Sequence, residues 1–346
     1  MKKQKNIRRA ALLLSLLLLL SITVLPVGAR ETRPTLTVGG IPFGVRFFTD
    51  GILVVGYCDV TCEGTCHNPA RQAGLAPGDC IYKINGKAMD GTATLAAALQ
   101  ESDGGEMKVD YRRDGVENSV VLHALRCDED GRWRMGLFVR DSGAGIGTVT
   151  FIMEGTGTFA GLGHGICDGE SGALIPLARG AVTGVTIVGV TRGMAGAPGE
   201  LRGRLESGKT GTLLGNTPCG VYGVFSEKMK TNAPRCEIAY SKEVHDGAAS
   251  VWCTLDDNTS REYSVTLSHI KRGERGNKCF TVKVTDDTLL RCTGGIVQGM
   301  SGSPIIQDGR LVGAITHVLI GDPTTGYGIF IENMLANIPA ALGEKR

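Results

Sequence analysis

The chain has 346 residues, enough for about two domains, and its 42% hydrophobic and 21% charged content excludes global disorder. Glycine is 51 of 346, about twice the usual share and without a collagen period, so turns and close backbone approaches are expected and a long-helix protein is excluded. The formal charge of +2 is concentrated in Lys2, Lys3, Lys5, Arg8 and Arg9; the rest is slightly acidic and gives no electrostatic reason to expect a nucleic-acid partner.

Those five cations precede an apolar run from Ala10 to Val24, and Val27 and Ala29 occupy the −3 and −1 places of a signal-peptidase site before Arg30. A run of about 15 apolar residues suits a signal better than a full span, which needs about 20. Residues 1–29 are therefore expected to be a cleaved signal peptide or a retained anchor, with the body exported. The chain carries eleven cysteines, an odd number, so disulfides are expected with at least one thiol left over. Cys62, Cys66 and His67 could suggest zinc. A local disulfide or buried thiols fit the spacing better, and neither a metal nor a cofactor is expected.

Residues 36–125 read as a small module. Gly44–Phe48 and Ile52–Tyr57 look like strands joined as a hairpin at Thr49-Asp50-Gly51. A short helix ending at Gly74 follows, then the strand Cys80–Ile84, the Asn85-Gly86 turn, a helix over Thr92–Glu101 and strands joined at Asp114-Gly115. The run Ala70 to Gly86, A-x-x-A-G-L-x-P-G-D-x-I-x-x-I-N-G, closely resembles a PDZ domain. That resemblance implies a carboxylate-binding loop at Gly40, Ile41, Pro42, Phe43 and Gly44. It also implies a groove between Val45–Phe48 and the helix that takes a C-terminal peptide as an added strand.

A polar stretch at Cys127–Arg132 marks a boundary. From there to residue 346 short β-rich runs alternate with glycines, which predicts a barrel or sandwich, closed by a helix over Glu332–Leu342. Ser142–Gly147 reads as a glycine turn. Gly203–Thr210 matches the P-loop expression, but neither flank supplies the strand and helix that a phosphate loop needs.

Two glycine-framed motifs carry chemistry. In Gly299-Met300-Ser301-Gly302 a tight bend would expose a serine hydroxyl, with the backbone N–H groups of Gly299 and Ser301 aimed at a developing oxyanion. In Gly163-His164-Gly165 a histidine without bulky neighbours could face a cleft as its base; His317 is the rival. The residues leave the orienting acid open among Asp168, Asp246, Asp286 and Asp287.

The whole chain resembles the stage IV sporulation protein B peptidases. The resemblance rests on Arg140 to Thr148, Leu162 to Ile166, Thr293 to Gln307, and the tail from Thr316 to Gly328. It implies a mainly β chain: a PDZ domain, then a chymotrypsin-like barrel peptidase domain over residues 127–346. It implies nucleophile Ser301, base His164 and orienting acid Asp286. It also implies secretion from the forespore into the intermembrane space, where a membrane-anchored regulator of an intramembrane protease complex is cleaved so that a late sigma factor is processed. PDZ control and self-cleavage belong to the same picture. The competing reading is an exported PDZ scaffold with an inactive protease-like domain.

Overall fold

The computed structural model describes residues 33–169, 171–227, 229, 231–256 and 259–343, and from Thr35 onward the chain packs as one unit. The expected export segment, residues 1–29, lies outside the described residues. Among those residues no helix is long and apolar enough to cross a membrane.

Alternation builds the C-terminal half. In Phe280–Val284 the residues Phe280, Val282 and Val284 are buried while Lys283 is exposed, the period of two that a half-buried strand requires. Six such strands close a barrel in the order Gly247–Thr254, Ser260–Ser268, Phe280–Val284, Asp322–Phe330, Arg310–Leu319, Pro304–Gln307. Its interior holds Val251, Leu267, Phe280, Ile305 and Ile315. A second ring of pairings closes in front of it. Leu137–Ile152 pairs with Thr158–Gly161, which pairs with Gly220–Phe225, then Gly211–Thr217, then Leu177–Thr183, then Pro42–Tyr57, which returns to Leu137–Ile152. Phe43, Val149, Phe159 and Leu213 fill this barrel. Two six-stranded antiparallel barrels in tandem are the chymotrypsin-like arrangement expected from sequence.

The PDZ module is inserted into the first barrel rather than preceding it. Pro42–Tyr57 and Leu137–Ile152 are each 16 residues long and belong to both parts. Residues 44–49 pair with Leu177–Thr183 inside the barrel, while Ile52 and Leu53 pair with Ile81 and Cys80. A separate core of Ile52, Ile81, Leu95, Met107 and Leu122 lies between them. The expected boundaries at 36 and 125 therefore move: residues 35–49 are peptidase barrel, and the module runs on to about residue 141. The reason is local. A two-residue hairpin of type I′ needs positive φ at both central residues. Asp114-Gly115 has φ of 52° and 79°, and Asp308-Gly309 has 51° and 74°, and both are hairpins. At Asp50-Gly51 only Gly51 is positive, at 111°, and the chain runs on as one bent strand.

Ser142–Gly147, expected as a turn, is also strand. The single closing helix is two short ones, Ile331–Ala336 and Ala340–Gly343, separated by Pro339. All eleven cysteines are free thiols, so the expected disulfides are not formed in this structure.

Candidate active site

The turn carrying Ser301 lies between the barrels. Gly299 and Gly302 both have φ of +94°. A Cβ on Gly302 would overlap the Thr148 carbonyl oxygen and the Leu162 nitrogen, so only glycine lets the turn seat against the first barrel. Thr148 fixes it from that side: its N–H donates to the Ser301 carbonyl at 2.9 Å and its hydroxyl to the Gly299 carbonyl at 2.8 Å. With both carbonyls so held, the N–H groups of Gly299 and Ser301 have no acceptor among the described residues, as an oxyanion site requires. The Ser301 hydroxyl donates to the Thr316 carbonyl at 2.9 Å.

His164 follows the strand Thr158–Gly161 on a bend where Leu162 and Gly163 have φ of 66° and 69°. Ser301 and His164 line one cleft of about 370 Å³, together with Ile146, Ile166 and Gly299. His164 Nδ1 lies 2.8 Å from the Gly165 carbonyl oxygen. A carbonyl can only accept, so that contact puts the proton on Nδ1 and leaves the Nε2 lone pair as the base. Burial pushes the His164 pKa below its ordinary value, with the Gly165 carbonyl opposing.

The structure does not bring Asp286 to His164. Asp286 caps the helix Asp287–Thr293: its Oδ1 accepts from Thr288 N at 2.8 Å and from Leu289 N at 3.0 Å. A carboxylate satisfies two otherwise unpaired N–H groups there and complements the helix dipole. Asp287 is exposed in the first turn of the same helix, and Asp246 is exposed beside His245. Asp168 is buried but committed to its own loop, accepting from Ser171 N at 2.9 Å, Ser171 Oγ at 3.0 Å and Arg140 Nη1 at 2.9 Å. It thereby ties the loop after His164 to the strand Leu137–Ile152.

The imidazole closest to His164 belongs to His317, with ring centroids 5.0 Å apart at 38°. Its Nδ1 is buried without a partner among the described residues. Burial first, then His164 and Lys278, push its pKa down to about 4, so it stays neutral near pH 7. Thr148, Thr316 and Arg140 lie within the segments that carried the resemblance, but sequence reasoning assigned them no role, because their contributions come through long-range contacts.

The expected carboxylate loop Gly40–Gly44 is occupied by the peptidase fold. Gly40 N donates to Val149 O at 2.8 Å, the Gly40 carbonyl accepts from Thr254 Oγ1 at 2.9 Å, and Gly44 is flanked by Ile146 and Thr183. Residues 45–48 likewise have strands on both edges, so no peptide can add there. The groove of the PDZ part lies instead between the helix Thr92–Glu101 and the start of Leu137–Ile152. It encloses about 240 Å³, lined by Leu95, Ala96, Leu99, Met135, Leu137 and Val139. The helix is tied to the strand side at both ends: Thr92 N donates to Asp141 Oδ2 at 2.8 Å, and Gln100 Nε2 to the Trp133 carbonyl at 3.1 Å.

Two family models match the chain: SpoIVB peptidase S55 over residues 131–335 and PDZ domain over residues 67–113. No curated protein matches. Among solved structures, the PDZ domain of the SdrC-like protein from Listeria monocytogenes is 21% identical over 26% of this chain and 87% of its own, with a TM-score of 0.22. The HtrA-type protease AlgW with decapeptide is 14% identical over 60% and 56%, with a TM-score of 0.33. The active form of a protease from M. tuberculosis is 13% identical over 59% and 76%, with a TM-score of 0.33.

Proposed function

Because the chain belongs to the SpoIVB peptidase S55 family and is a PDZ-containing serine endopeptidase, we propose that Ser301 is its nucleophile and His164 its base, and that it serves sporulation signalling. The observation that carries the catalytic part is the turn at Gly299–Ser301, whose N–H groups have no acceptor among the described residues and whose residues line the same cleft as His164. The Ser301 hydroxyl rotates away from the Thr316 carbonyl and passes its proton to His164 Nε2 as Oγ attacks a peptide carbonyl. The oxyanion forms against the N–H groups of Gly299 and Ser301, and the protonated imidazole then delivers its proton to the leaving amine. The Gly165 carbonyl holds the Nδ1 proton, the positioning task for which Asp286 was expected.

In this reading the chain is exported from the forespore into the intermembrane space. It cleaves a membrane-anchored regulator of an intramembrane protease complex, allows a late sigma factor to be processed, and cleaves itself near its N-terminus. The PDZ groove, which supports peptide binding, controls access. The family and the signal-like sequence of residues 1–29 support this reading. The test is labelling by a fluorophosphonate probe, followed by incubation with the ectodomain of a candidate regulator. Wild-type protein should label and cut; Ser301→Ala should do neither while keeping its thermal transition, because losing the nucleophile costs orders of magnitude in rate. Cutting by Ser301→Ala at the wild-type rate overturns the assignment.

A further inference from the structure

The strand Leu137–Ile152 borders both the PDZ groove and the catalytic cleft, and one of its edges is free over most of its length. On one side residues 137–148 pair with Pro42–Tyr57. Thr35–Val38 continues that side past it, and on the other edge, among the described residues, only the far end pairs, Val149 to Ile152 with Thr158–Gly161.

Hydrogen-bond parity shows which groups face the open side. Thr148 N donates to the Ser301 carbonyl, and the Thr148 carbonyl accepts from Leu162 N, so Thr148 points its backbone groups away from its pairing partner Pro42. No register shift interrupts residues 142–148, so Ile146 and Ala144, at steps of two, point the same way. Both line the cleft with Ser301, and neither has an acceptor or donor there among the described residues. At the other end, Cys58 N donates to the Gly136 carbonyl. That bond makes Leu137–Tyr57 a non-hydrogen-bonded pair and turns the N–H and C=O of Leu137 toward the helix Thr92–Glu101. Between the two ends the side chains leave room. Gly145 has nothing within 4 Å of where a Cβ would be, and Ala144 is exposed. A glycine in a strand interior is where another backbone can approach closely.

Resting on the peptidase reading above, we propose that one extended segment of substrate pairs along this whole edge. Its C-terminal carboxylate sits at Gly136–Leu137 in the PDZ groove, and its scissile bond sits at Ser301. The occupant is the C-terminal tail of a protein, running antiparallel to residues 137–146. The strand shifts register at Arg140–Ser142, which is why Leu137 and Ala144 both face this edge. An added segment that bridges that bulge places the cut on the order of ten residues from the free C-terminus, roughly 33 Å of extended chain. The PDZ part then acts as a ruler, and the fragment released is a C-terminal peptide of about that length. Asp141, which ties the strand to Thr92, marks where the groove hands over to the cleft.

The test does not depend on catalysis. Full-length Ser301→Ala protein is mixed with 18-residue peptides of one sequence ending in free valine. A photoreactive benzoylphenylalanine is placed between 2 and 16 residues from the C-terminus, and cross-links are mapped by mass spectrometry. The probe two to four residues in should label residues 92–100, and the probe about ten residues in should label residues 144–146 and 162–166. Amidation of the C-terminus should weaken both about tenfold. Ala96→Arg, a substitution at an exposed groove position, should abolish both. Cleft labelling that is equal for probes four, ten and sixteen residues in, or unchanged by amidation, or absent at every position, overturns the proposal. Absence of fluorophosphonate labelling in the wild-type protein would instead strike at the catalytic assignment alone.

Discussion

Asp286 shows how a local role can imitate a catalytic one. The run Asp286-Asp287-Thr288-Leu289 is an acid opening a helix, and the structure spends that carboxylate on the N–H groups of Thr288 and Leu289. Asn is as good a cap as Asp, so Asp286→Asn should keep turnover near wild type, whereas Asp286→Ala should lose about 1 kcal/mol of stability. Turnover and chemical denaturation of the two variants check this. A collapse of turnover in the Asn variant would restore Asp286 as the orienting acid. Ser301 and His164 were legible as a pair because glycines on both sides of each leave few other uses for the bends they form. His317 was legible only as a rival base, since its contact with His164 arises from two strands far apart in sequence. The two histidines also predict a pH response. Both pKa values lie below the ordinary 6.5, His317 at about 4, so both rings are neutral in the fold and protonated more readily when unfolded. The stability they contribute is complete above pH 6.5 and is lost as pH falls from there through 4. Thermal unfolding across that window should show the decline, and a flat profile would contradict it. Because the base must be neutral, the acid limb of kcat/KM should fall below 6.5, as a single proton belonging to His164.

At the scale of elements, the turn bearing Ser301 is shaped from outside its own barrel. Thr148, 2% exposed, supplies both an N–H and a hydroxyl to it. Thr148→Val keeps the shape and the N–H and removes the hydroxyl donor, leaving the Gly299 carbonyl short of a partner. Roughly 1–2 kcal/mol of stability should go. Turnover should fall more than KM rises, because the oxyanion donors lose their alignment. A rise in KM alone would show that the turn is held by other means. The hairpins at Asp114-Gly115 and Asp308-Gly309 were legible because their dipeptides need only their neighbours. The strand through Asp50-Gly51 was not: its two halves are recruited by Leu177–Thr183 and by Cys80–Ile84, and the dipeptide carries no trace of either. Ser142–Gly147 misled in the same way, since its glycines serve an open edge rather than a turn.

Across the whole molecule, the two shared strands decide what can be removed. Deleting residues 36–125 takes out a strand of the first barrel with Phe43 and Val45 of its core, so that protein should be insoluble and take no active-site probe. Phe47 faces Gly143 in register as a hydrogen-bonded pair, so replacing residues 48–142 with Asn-Gly should close a hairpin and keep the barrels. Circular dichroism and fluorophosphonate labelling distinguish the two. Equal behaviour of both deletions would refute the inserted arrangement. The fold class was legible from the short glycine-bounded strands and the PDZ pattern. The insertion was not, because it depends on pairing between residues about a hundred apart. That pairing also bears on how the molecule assembles. The inserted module has a core of its own, so it can form while later residues are still being synthesised. Once formed, it brings Phe48 and Ser142 side by side and shortens an effective loop of more than ninety residues to a hairpin. The module thus works as a template for the barrel that encloses it, before it has any ligand to bind.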